Sequence, residues 1–170
     1  GNLSALVALE AASGAGRGGV DPVDAVITLS SPLDLTVGAA TNATFEQSML
    51  DYLDCAARDC ERAAEASPQT LVSEDAPPFL VVHGMREQLI PVQQATAFIG
   101  ALAAAGTPAT RELIDSEAHS IGLLDDALAG RLSDWLRGML VPAPAVEALD
   151  ESSLAAQLPG GAGSAAAALD

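Results

Sequence analysis

A carboxylate and an imidazole that meet beyond the end of a sheet can activate a hydroxyl nucleophile, and this chain holds a candidate of each in comparable places. Glu87 follows the apolar run at the start of "PFLVVHGMREQLIPV", and His119 lies in the loop "SEAHSIG" after "TPATRELID". Each sits just past a predicted strand, with a helical stretch between them. A serine hydroxyl is a poor nucleophile until an imidazole takes its proton. The imidazole in turn needs a carboxylate to set its tautomer and stabilise its positive charge. Acid followed by base, each in a post-strand loop, suits the last two members of a hydrolytic triad. A histidine alone would read as a loop residue with a structural hydrogen bond; the strand-loop context and Glu87 move His119 to general base. Asp115 and Asp125 are the nearest substitutes for Glu87. His83, at the strand end, is assigned a structural role with a local hydrogen bond. Arg86 either pairs with a carboxylate or faces solvent, and solvent is the default for an exposed arginine.

Positioning such groups takes a scaffold, and the pattern supplies one. Strands are expected over Ala25 to Leu29, Phe79 to Val82 and Thr110 to Ile114. The opening "GNLSALVALEAASGAG" is helical, with Leu3, Leu6, Val7 and Glu10 at helical spacing. Further helices are expected over Phe45 to Leu53, from Val92 to Ala105 with a stop at Gly106, and from Asp125 to Leu140, with more helix or turn through "CAARDCERAAEASP". The last of these carries Leu128, Leu132, Trp135 and Leu136 on one face. Alternating strands and helices predict an α/β fold, a mostly parallel sheet flanked by helices, with chemistry beyond the carboxyl ends of the strands. Residues 1–141 form the domain. In 142–170, Pro, Gly, Ser and Ala dominate, and this low-complexity tail is expected to be flexible or weakly helical.

Composition narrows the partners. The 170 residues are 49% hydrophobic, enough for one globular core. All seven basic residues are arginines, against 23 acidic ones, and the net charge of −16 disfavours nucleic acid and anionic lipid surfaces. No apolar run approaches the ~20 residues that span a bilayer. Cys55 and Cys60 are the only cysteines, and with two distant histidines they fall short of a metal ligand set. A disulfide between them requires a turn near "AARD"; it suits a secreted protein, whereas two free thiols suit a cytoplasmic one, and both readings stand. Asn42-Ala43-Thr44 is a glycosylation sequon with meaning only in a eukaryotic secretory route. Oligomeric state is not set by these residues.

Three stretches carry a family resemblance. "HGMREQLIPVQQA" resembles the H-G-x-x-D-x-x-V-P stretch of α/β-hydrolase esterases: Gly84 and Pro91 match, Ile90 replaces valine, and Glu87 takes the acid position. "EAHSIG" looks like the late histidine loop of that superfamily, without the common glycines ahead of the histidine. "GNLSALVAL" is similar to the residues that follow the nucleophile elbow, where G-x-S-x-G runs on into G-N-L-A. The resemblance covers Gly1 to about Leu140 and implies the C-terminal half of an α/β-hydrolase esterase or lipase. Glu87 would be the triad acid and His119 the base. A small-molecule ester with an uncharged acyl chain would be the substrate, and no cofactor is implied. No G-x-S-x-G occurs in these residues, so the resemblance places the serine upstream of residue 1 and the chain alone is expected to be inactive. Residues 37–74 fall where related esterases place part of a cap, plain packing being the other reading. A serine peptidase of the same fold and a non-catalytic binding module are the alternative functions.

Overall fold

A short strand buried on both faces forms the centre of the structure. The computed structural model describes residues 1–14, 21–36, 43–57 and 60–141; Asn42 of the sequon and the expected tail at 142–170 lie outside them. Strand β2 (Phe79–Gly84) is buried at every position and runs two residues beyond the apolar stretch to take in His83 and Gly84. It lies between β1 (Val26–Leu29) and β3 (Ala109–Ile114), and both neighbours are parallel to it. Phe79 stands in register with Val26 on one side and Ala109 on the other, and Gly84 pairs with Ile114. Because strand side chains alternate, Phe79 and Val81 face one helical layer while Leu80 and Val82 face the other.

The first layer combines α1 (Asn2–Ala12) and α4 (Val92–Ala104). Ala5, Ala8, Leu9, Val26, Phe79, Val81, Phe98 and Leu102 form its core. Phe79 and Phe98 meet edge to face with centroids 5.2 Å apart. Gly106 ends the helical region with φ +79°, and Thr107 N–H returns to the Leu102 carbonyl. On the other face, α5 (Asp126–Leu140) packs Leu128 and Leu132 against Leu80 and Val82, with Trp135 partly buried beside them. Asp125 caps this helix by accepting from the Leu128 N–H.

The helix expected at the start of the chain is present as α1, and small residues mark its buried side. Ala5, Ala8, Leu9 and Ala11 are buried, whereas Leu3 is 65% and Val7 48% exposed. Small side chains let the helix axis approach β1 and the 3-10 turn Pro68–Leu71 closely, so alanine rather than leucine marks the packed side. Leu3 instead borders an open apolar cavity of about 320 Å³, shared with Pro32, Leu35, Phe45, Met49 and Tyr52. Phe45, Met49 and Tyr52 come from α2 (Ala43–Leu53). Beyond α2, Cys55 and Cys60 are joined by a disulfide with Cα atoms 6.0 Å apart, leading into α3 (Glu61–Glu65). Arg62 of α3 donates to the Leu53 and Asp54 carbonyls and to the Asp54 carboxylate, whose hydrogen bond and charge raise its pKa.

Candidate active site

The carboxyl ends of β2 and β3 bring the two candidate residues together. At the end of β2, a Cβ on Gly84 would lie 2.8 Å from the Ala118 carbonyl and 2.9 Å from that of Ser116. The histidine loop therefore runs against the bare backbone of β2, and any side chain at Gly84 would push it away. Backbone bonds extend the pairing past the strands: Met85 N–H donates to Ile114, and Arg86 N–H to Ser116. The Arg86 side chain adds an ion pair to Asp115, so it bridges the two loops instead of pointing only to solvent.

Within this frame, His119 Nδ1 lies 2.5 Å from Glu87 Oε1. The same oxygen accepts the Ile90 N–H at 3.0 Å. The Glu87 side chain is fully buried, whereas the His119 side chain keeps about a third of its surface exposed. A buried carboxylate is tolerated only when donors surround it. With Nδ1–H directed to Glu87, Nε2 is the ring nitrogen left with a lone pair, the state in which an imidazole can take a proton from a hydroxyl. Neither substitute carboxylate competes for the imidazole. Asp115 holds Arg86, and Asp125 caps α5.

His83 occupies the strand end as expected, but its surroundings are richer than a local hydrogen bond. Its ring is fully buried, and Nε2 lies 3.0 Å from the Ile90 carbonyl and 3.3 Å from Glu87 Oε2. The second distance misses hydrogen-bond geometry, which leaves Oε2 without a formal donor among the described residues. A carbonyl only accepts, so the His83 proton resides on Nε2.

The loop after β1 is anchored by residues of other elements that sequence reasoning passed over. Gln94, buried on α4, accepts from the Leu33 and Asp34 N–H groups and donates to the Asp34 carbonyl. Asn2 donates to the carbonyls of Pro32 and Ala66, and the buried Ser67 hydroxyl accepts from Leu35 N–H. A Cβ on Gly1 would fall 1.7 Å from the Ser31 hydroxyl, so the start of α1 rests directly on the end of β1. The only sequence signal for these anchors was an amide on an apolar helix face and the Asn of "GNL", neither of which names its partner. Among the described residues, no group of three or more His, Cys, Asp or Glu could hold a metal ion, and no helix is long and apolar enough to cross a membrane.

The BD-FAE family matches residues 3–102 of the chain, more than half of its length. Esterase LipC of Mycobacterium tuberculosis is 42% identical over 67 residues, a segment equal to 39% of this chain and 17% of LipC. The probable carboxylic ester hydrolase LipM of the same organism is 55% identical over 38 residues, 22% of this chain and 9% of LipM. A solved truncated form of a carbohydrate esterase from gut microbiota superposes with a TM-score of 0.66 at 19% identity, over 81% of this chain and 55% of that one. The segments matched in LipC and LipM are thus small parts of those proteins, and the chain covers about half of the solved structure. The fold is that of the α/β-hydrolase esterases, and the parallel sheet with its flanking helices corresponds to the C-terminal half of that fold.

Proposed function

The chain belongs to the BD-FAE family, and from that membership and the paired side chains we propose that the protein is a carboxylic ester hydrolase working through a serine acyl-enzyme. The observation that carries this reading is the 2.5 Å contact between His119 Nδ1 and Glu87 Oε1 at the carboxyl edge of the sheet. His119 Nε2 takes the proton of a serine hydroxyl as that oxygen attacks the ester carbonyl. The imidazolium so formed is stabilised by Glu87 and then protonates the departing alkoxide, which leaves the acyl group on the serine. In the second half-reaction Nε2 takes a proton from water. The hydroxide equivalent attacks the acyl-enzyme, and return of the proton to the serine releases the acid.

In this reading the serine comes from upstream of residue 1, as the G-N-L resemblance implies, and the 170 residues alone turn over no p-nitrophenyl ester. An ester with an uncharged acyl group suits the strongly acidic chain. The test is made on the full-length protein with p-nitrophenyl esters. Glu87→Gln is expected to lower kcat by about 10⁴-fold, the scale known for loss of a triad carboxylate, with the fold intact. Glu87→Asp is expected to keep much more activity. Unchanged turnover in Glu87→Gln would remove Glu87 from the triad.

A further inference from the structure

Glu87 binds donors unevenly. Oε1 accepts from Ile90 N–H and faces His119 Nδ1, while the equally buried Oε2 has His83 Nε2 at 3.3 Å. His83 is itself fully enclosed, and its Nδ1 has no partner among the described residues. A histidine so placed is costly as mere core filling, because an imidazole with one unpaired nitrogen is a poorer occupant than an aliphatic side chain. Its backbone is held in register with Leu113 of β3, and the preceding Val82 pairs with Leu29 of β1.

We propose that His83 is a positioning residue for the catalytic carboxylate: its Nε2–H, bonded to the Ile90 carbonyl, lies against Glu87 Oε2 at 3.3 Å and so sets the plane in which Oε1 meets His119. This rests on the reading of Glu87 as triad acid. The geometry gives His83 two handles on one loop. Through Ile90 it holds the backbone whose own N–H binds Oε1, and through Oε2 it limits rotation of the carboxylate about its last torsion. That torsion is broad and nearly two-fold in glutamate, so packing alone defines it weakly. Without the Nε2 donor, the carboxylate can turn and the imidazole loses its fixed orientation, even though the Glu87 charge is unaltered.

The experiment is a double-mutant cycle in the full-length protein, read as kcat and KM per mole of folded enzyme. His83→Leu, which removes the donor, is expected to lower kcat about 10- to 100-fold with KM within about two-fold, the range for an ångström-scale loss of alignment. His83→Gln, whose amide nitrogen can reach the Nε2 position, is expected to restore most of kcat. In a Glu87→Gln background, His83→Leu should change kcat by less than about three-fold, because the carboxylate it positions is gone. If His83→Leu gives no folded protein, His83→Asn, whose amide stops short of Nε2, replaces it in the same cycle. Equal loss in His83→Leu and His83→Gln, or a loss of the same size with and without the Glu87 carboxylate, would overturn the proposal while leaving the triad acid in place. Silence of Glu87→Gln itself would overturn both.

Discussion

Gly84 makes a quantitative test of how the two loops are assembled. Alanine at this position would put its Cβ 2.8 Å from the Ala118 carbonyl and 2.9 Å from the Ser116 carbonyl, where ordinary contact begins near 3.4 Å. The loop must therefore withdraw by roughly half an ångström. It is not free to do so. Arg86 N–H to Ser116 is already 3.0 Å, and the same retreat would stretch it to the edge of hydrogen-bonding range. Overpacking of this kind costs about 1–3 kcal/mol, and glycine-to-alanine replacement returns about 0.4–1 kcal/mol by restricting the unfolded chain. The steric term wins, and a net loss of about 1–2 kcal/mol is expected by urea unfolding of the full-length protein. Since Ala118 immediately precedes His119, the displacement should also reach the imidazole and lower kcat about ten-fold with little change in KM. Gly100→Ala on α4 is the control. A Cβ at Gly100 would meet nothing within 4 Å, so this variant should gain about 0.5–1 kcal/mol and keep full activity. A Gly84→Ala protein as stable and active as the parent would refute the close-approach argument.

Two further outcomes concern the supports of the site. Gln94→Leu strands three backbone groups of the loop after β1, and a loss of about 2–3 kcal/mol is expected, measured by the shift in urea midpoint at unchanged slope. Reduction of the Cys55–Cys60 bridge opens a loop of sequence separation 5 and should cost no more than about 2 kcal/mol on the chain-entropy account. Melting with and without reductant reads that difference, and unreduced peptide mass should show one bridge as a deficit of about two hydrogens.

The arrangement has a common logic. Glu87 and His119 each sit on a loop, yet each loop is tied by backbone bonds to the strands. Met85 and Arg86 continue the β2–β3 pairing, Ile90 binds Glu87, and Gln94 pins the turn after β1. The proposed triad needs this rigidity, because a misplacement of about 1 Å can cost about 100-fold in rate.

The chain's own residues decided the strands, since short, β-branched apolar runs such as "FLVVHG" suit a doubly covered sheet, and their length and flanking turn residues separate them from the longer periodic helices that follow. They also decided which carboxylate and histidine lie beyond strand ends, because post-strand loops are local features of the text. What the text could not carry is distance between segments. That α1 packs through Ala5 and Ala8, with Leu3 left at a cavity, depends on how closely a helix can approach a neighbouring layer, and small residues signal that only once the layer is present. The same holds for Gly84, whose need for a bare backbone comes from the carbonyls of Ser116 and Ala118, about thirty positions away. His83 likewise shows only a strand-end histidine in sequence, and its approach to Glu87 Oε2 exists because the loop to Ile90 folds back over β2 and buries both groups in one place.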